Sequence, residues 1–249
     1  MVGATRSQSV MHPIFVYISL FLFLGAIGMH YGNRKVDTQT GQKRWLKFLT
    51  YIVIVSTVLA GIFLDRFDLV AIFISVVGLG EIIKIITKLS SRWFQLLIIV
   101  IYVAITFGFI YFSTSFDRSL LLFIYFQVFT FDGFSQVVGQ LLGKQKLLPQ
   151  ISPGKTLEGL VGGTVFCVLS ALLARNWVAF SMPKALLLGL TTASLAFVGD
   201  ILASYLKRRC HVKDYSTLLP GHGGFLDRFD SLMMVGVGYS LLSQLRSLQ

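Results

Sequence analysis

Charge is what this 249-residue chain has least of: only 13% of its residues are Asp, Glu, Lys or Arg, about half of what a water-facing domain carries. With 55% of residues drawn from Ala, Val, Ile, Leu, Met, Phe, Trp, Tyr and Cys, too little polar surface remains to clothe a soluble core. That excludes a soluble enzyme and a disordered chain. Cysteine is nearly absent as well. Cys167 lies in an apolar run and Cys210 in a basic loop, without ligand spacing, which excludes a disulfide framework. Acid is scarce, 11 Asp and Glu against 22 Lys and Arg, for a net charge of +11. On a soluble chain that excess would suggest nucleic acid. On a membrane chain it is the ordinary mark of loops that stay inside, so no nucleic-acid partner is expected. What remains is an integral membrane protein. At about 20 residues per span, the length holds at most nine or ten.

Apolar runs mark eight candidate spans near 12–31, 46–64, 67–86, 93–113, 118–138, 157–180, 184–206 and 229–246. The expected fold is therefore an all-α polytopic membrane protein of about eight transmembrane helices, within a range of seven to nine. One Arg (Arg6) precedes the first run and no small-residue cleavage site follows it, so that run reads as a retained span. The loops after the first, third, fifth and seventh runs hold five, three, three and five Lys and Arg. The other loops and the tails share the remaining six. This asymmetry puts both termini on the non-cytoplasmic side and the polar loops 139–156 and 207–228 in the cytoplasm. Residues 1–115 read as N-terminal transmembrane helices and 116–249 as the catalytic transmembrane region of one integral membrane domain. No internal repeat is visible, which argues against a transporter.

Polar residues inside spans are costly, so they are candidate site residues. Asp132 has Ser135 and Gln136 on its own helical face, and Asp200 leads a stripe through Ser204 to Lys207. Glu81, with Lys84 three residues on, reads as a local ion pair near the boundary. The richest stretch runs from Ser204 to Asp230. Lys207, Arg208, Arg209 and Lys213 are cations suited to phosphates, and Asp214 is a lone acid among them. Pro220-Gly221-His222-Gly223-Gly224 is a turn whose glycines let backbone N–H groups approach an anion. Asp227 and Asp230, spaced i and i+3, then point the same way from a helix start. Hard carboxylate oxygens beside phosphate-binding cations suit Mg²⁺, and a second cation can share such a site. Upstream, Gly154-Lys155-Thr156 is not a P-loop, because Pro149 stands where that motif needs glycine. Lys155 still offers phosphate a point charge.

These residues carry a resemblance. The run Ser204-x-x-Lys207-Arg208, Lys213-Asp214, Pro220-Gly221-His222-Gly223-Gly224, Asp227-Arg228-x-Asp230 resembles the signature of the phosphatidate cytidylyltransferase (CDP-diacylglycerol synthase) family. Gly199-Asp200, the block Ser152-Pro153-Gly154-Lys155-Thr156-Leu157-Glu158-Gly159, and Asp132 with Gly139, Gly143, Lys144 and Lys146 are similar to its upstream elements. The resemblance covers roughly 125–245. It implies transfer of the cytidylyl group of CTP to phosphatidate, giving CDP-diacylglycerol and pyrophosphate. It also implies an enzyme of the bacterial inner membrane or an equivalent bilayer, with its active site facing the cytoplasm and a homodimer as one candidate assembly. On it we assign catalysis to Asp214, Asp227, Lys213 and Arg228. Ser152, Lys155, Thr156, Ser204, Lys207, Arg208, Gly221, His222, Gly223 and Gly224 go to the phosphates of CTP and lipid. Asp214, Asp227 and Asp230 go to Mg²⁺, with Asp132 and Asp200 as further ligands. Three positions depart from the family pattern: Ala203 for a Glu, Gly154 for the first Lys of Lys-Lys-Thr, and Gln140 for an Arg. The alternative is a CTP-dependent kinase of polyprenol or diacylglycerol, which would release CDP instead.

Overall fold

Each apolar run folds as a helix, and a polar residue just ahead of it often explains where the helix starts. The computed structural model describes residues 16–247 except 24, 28, 32, 35, 36 and 220–222. The helices are α1 (Val16–Tyr31), then α2 (Thr38–Phe63), α3 (Phe67–Ile86), α4 (Arg92–Ser115), α5 (Arg118–Leu142), α6 (Leu157–Ala174), α7 (Met182–Arg209) and α8 (Asp230–Ser247). Asp37, Ser91, Asp117 and Thr156 each cap the next helix by accepting from a backbone N–H of its first turn, which satisfies donors the helix itself cannot. The expected start of the first span, residues 12–15, lies outside the described residues. Among the described residues six helices, α2 to α7, are long and apolar enough to cross a membrane. The chain is an integral membrane protein.

Helix α5 is the central post. All eleven residues of Leu121–Phe131 are buried, so every face of that stretch is covered by protein. Its closest neighbour is α6, brought in by small residues. A Cβ on Gly159 would stand 2.7 Å from the Ser135 carbonyl oxygen of α5, and Gly163 lies against the Ser135 side chain. Between the same helices Gln127 and Ser170 hydrogen-bond at 3.1 Å, polar glue in an apolar setting. Helix α8 packs between α7 and α4, and α3 packs against α4.

One element departs from an all-α fold. The loop expected at 139–156 contains an antiparallel hairpin, β1 (Lys146–Leu148) with β2 (Ser152–Thr156). Two prolines and a three-residue strand hide it from period-2 patterning. The connections fall into two groups. Asp65, after α2, pairs with Arg118 at the start of α5. Arg208, at the end of α7, donates to the Ile151 carbonyl of the hairpin at 3.0 Å. The hairpin and the α7–α8 connection therefore meet at one end of the bundle.

Candidate active site

That end opens into a cavity of about 900 Å³, and five aspartates line it. Asp132 comes from α5, Asp200 from α7, Asp214 from the α7–α8 connection, Asp227 from a 3₁₀ turn at Leu226–Arg228, and Asp230 from the first turn of α8. Lys155 of β2, Lys207 of α7 and Arg228 line the same space. Ser135 and Gln136 share it with Asp132, as the helical spacing requires. The lining also includes apolar residues, Phe21 and Leu22 of α1, Phe48 and Ile54 of α2, Val128 and Phe129 of α5, and a further cation, Lys47 of α2.

The aspartates are held in different ways. Lys155 pairs with Asp200, whose other oxygen accepts from the Ser204 hydroxyl at 3.4 Å. Lys207 pairs with Asp227, and this pair is nearly dry, the side chains being 9% and 2% exposed. The second oxygen of Asp227 accepts the Tyr215 and Gly224 N–H groups at 3.0 and 2.8 Å. Asp227 thus ties the α7–α8 connection together from inside. Asp132 accepts the Ser231 hydroxyl at 3.3 Å, and Asp230 the Ser231 N–H at 2.8 Å. Among the described residues no ion pair reaches Asp132, Asp214 or Asp230, although Asp132, Asp200 and Asp230 feel one another's charge.

Of the other expected site residues, Ser152 and Thr156 line the cavity, Thr156 also capping α6 through its hydroxyl. Arg208 spends its guanidinium on the Ile151 and Val212 carbonyls, at 3.0 and 2.9 Å. Lys213 is exposed and stands outside the cavity wall. Gly223 has φ +86° and lies against Asp214, where a Cβ would meet the carboxylate carbon at 2.9 Å. Gly224 is buried against Asp227. Gly221 and His222 lie outside the described residues. Two of the departing positions, Gly154 and Gln140, line the cavity, while the Ala203 carbonyl accepts from the Tyr215 hydroxyl at 3.4 Å. Burial lifts the pKa of that hydroxyl well above its ordinary value, so it stays a donor at neutral pH.

Two residues deserve more than the spacing gave them. The Ser135 hydroxyl is buried without a hydrogen-bond partner among the described residues, turned toward Gly163 in the seam between α5 and α6. Glu81 is the correction. No ion pair with Lys84 forms among the described residues, and the buried Glu81 carboxylate instead accepts from the Ser216 hydroxyl and from the Phe225 and Leu226 N–H groups, the last two at 2.8 and 2.7 Å. Backbone donors 144 and 145 residues away outcompete a solvated lysine because they are fixed and dry.

The sequence model of the cytidylyltransferase family matches residues 4–245, nearly the whole chain. Among relatives, a phosphatidate cytidylyltransferase of Staphylococcus aureus (strain COL) is 40% identical over 170 residues. One of Staphylococcus saprophyticus is 38% identical over 169 residues. In both comparisons the matched stretch is 65% of this chain and 65% of the relative's own length. A phosphatidate cytidylyltransferase of Staphylococcus epidermidis is 38% identical over 167 residues, 64% of each chain. A match of this extent, on a chain whose aspartates and lysines converge on one cavity, identifies it as a member of the cytidylyltransferase family.

Proposed function

We propose that the chain transfers the cytidylyl group of CTP to phosphatidate, giving CDP-diacylglycerol and pyrophosphate, as a nucleotidyltransferase of phospholipid synthesis. The observation that carries this reading is the mixed lining of one cavity: five carboxylates and the cations Lys47, Lys155, Lys207 and Arg228, together with apolar residues of α1, α2 and α5. A polyanionic nucleotide suits the charged lining, and a phosphorylated lipid suits a site that joins charged and apolar residues. All of these residues come from one chain, so the reading requires no second copy.

The chemistry asks little of a base. The second pKa of a phosphomonoester is near 6, so the acceptor oxygen is already anionic at neutral pH. It attacks the α-phosphorus of CTP, the bond from that phosphorus to the β-bridging oxygen breaks, and pyrophosphate leaves with the electron pair. The obstacle is repulsion between two anions, which Lys155 and Arg228 offset by facing the cavity. Lys207, locked to Asp227, adds its field and holds the loop.

Mg²⁺ fits this donor set. Asp132, Asp214 and Asp230 line the cavity without a contact ion pair among the described residues, and their oxygens are the hard donors the ion prefers. No three acids form a ready-made cage among the described residues, which agrees with the habit of Mg²⁺ of taking one or two carboxylates plus substrate phosphates. Bound there, the ion would neutralise charge on the departing pyrophosphate. Asp227, with both oxygens occupied, reads as the organiser of the loop.

The Lys/Arg asymmetry supports a cytoplasmic site and outward termini. Cysteines introduced at 40 and 217 should resist an impermeant thiol reagent in intact cells, and one at 116 should react. The decisive assay supplies purified protein with labelled CTP, phosphatidate and Mg²⁺. CDP-diacylglycerol and pyrophosphate should appear together, and chelation should stop both. Release of CDP with phosphorylation of an alcohol lipid would establish the kinase instead.

A further inference from the structure

Glu81 lies in α3, upstream of every residue that resembles the family signature, yet it is bonded to both ends of the segment 216–226. Its Oε1 accepts from the Ser216 hydroxyl and the Phe225 N–H, and its Oε2 from the Leu226 N–H. Ser216 precedes the glycine turn and Phe225 and Leu226 follow it, so one carboxylate closes the loop at its base. Within the segment Leu219 donates to the Gly223 carbonyl at 3.0 Å. Phe225 and Leu226 lead into the 3₁₀ turn that presents Asp227 and Arg228. Their N–H groups are the orphan donors of that turn, and a negative charge there is favourable. The rest of α3 is shaped for the same contact. Phe73 packs edge-on against Phe225, ring centres 5.5 Å apart, and at Gly78 a Cβ would stand 3.0 Å from a Leu226 methyl. Three points on one helix, at 73, 78 and 81, therefore grip two adjacent residues of the loop.

We propose that Glu81 is a positioning residue for the cytidylyl transfer: by clamping Ser216, Phe225 and Leu226 it sets Gly223, Gly224 and the Asp227–Arg228 turn against the nucleotide. This rests on the function proposed above. It assigns the N-terminal half a part in the chemistry that the signature, confined to the C-terminal half, does not reveal.

Glu81→Gln is the test, because it keeps the volume and swaps one acceptor oxygen for an NH₂ group that must face a donor. In the full-length protein in detergent, amide hydrogen exchange at 225 and 226 should speed by about ten-fold or more while α5 and α6 keep their protection. The KM for CTP should rise by about five-fold or more with that for phosphatidate little changed. Simple loss of folded enzyme would lower Vmax and leave both KM values alone, and that result overturns the proposal. Ser216→Ala, which removes one donor, should show the same pattern more weakly and adds an arm should Glu81→Gln fold poorly. Lys84→Ala should leave exchange and both KM values unchanged; if it reproduces Glu81→Gln, the local ion pair is the truth and the clamp is not. Should the wild-type protein form no CDP-diacylglycerol, the transferase reading fails by itself. The clamp is then judged by exchange and by equilibrium binding of CTP, and unaltered exchange with unaltered CTP binding in Glu81→Gln sinks it.

Discussion

Two connections share the cavity, and they are built on opposite principles. The α5–α6 connection holds itself together with local backbone structure, a two-stranded hairpin whose register pairs Lys146 with Thr156 and Leu148 with Ser152. Glu158 fastens its start by accepting the Lys144 and Gln145 N–H groups at 3.0 and 3.2 Å. Among its described residues the α7–α8 connection has only an isolated bridge, Leu219 with Gly223, and a 3₁₀ turn. Its shape depends on two buried carboxylates, Asp227 from within and Glu81 from α3. A ladder tolerates change at its open positions, since the bonds lie in the backbone. A loop strung on two side chains does not, because losing either exposes several polar groups at once.

The largest effect should come from Lys207→Ala. It leaves the Asp227 carboxylate, 2% exposed, without its counter-charge, and breaking a buried pair costs about 3–5 kcal/mol. Thermal unfolding in detergent should fall steeply and turnover should drop by orders of magnitude. Unchanged stability would mean that Asp227 is not pinned as described. Gly223→Ala comes next. At φ +86° and pressed on Asp214, an added methyl strains the backbone by about 1–3 kcal/mol and displaces an acid of the cavity. Turnover should fall by about ten-fold or more with the transmembrane helices intact by circular dichroism. Normal turnover would show that the glycine turn accommodates side chains and that its conformation does not matter.

Six of the eight expected spans, α2 to α7, were legible among the described residues because about 20 apolar residues in a row admit few readings, and Asp132 with Ser135 and Gln136 was legible because helical spacing puts them on one face. What stayed hidden was tertiary. Nothing in the sequence pairs Lys155 with Asp200 across 45 residues, or brings Glu81 to Phe225. An acid within a span must have a partner, and spacing supplied Lys84, the nearest cation, whereas the real donors were N–H groups that any residue carries. Arg208 shows the same blindness: the sequence offers its charge, whereas the bonds of its Nε and Nη1 to the carbonyls of Ile151 in the hairpin and of Val212 appear only in the fold.

On the hairpin side the effects should be small. Glu158→Gln keeps one acceptor for the Lys144 and Gln145 amides in a place open to water, where lost bonds are replaced by solvent. Turnover should stay within about three-fold of wild type. A collapse of activity would mean that the hairpin is as dependent on one side chain as its neighbour.

Gly154→Lys should be the mildest change and the sharpest probe of the contrast. It installs the cation that the family pattern has at this position, and a Cβ there meets nothing within 4 Å, so no neighbour must yield. Gly154 lines the cavity beside Lys155. The new ammonium would stand in wet surroundings, where one favourable contact with a phosphate is worth about 1 kcal/mol at a separation of 4 Å. The KM for CTP should therefore fall by no more than about five-fold, the unfolding temperature should not move, and the gain should fade as salt is raised, since exposed charges are screened. If the variant unfolds at lower temperature, the middle of β2 is constrained by contacts that its open surroundings do not suggest. If the KM falls by far more and resists salt, the ammonium is reaching a dry part of the site, and the hairpin ranks with the α7–α8 loop as an active part of the cavity.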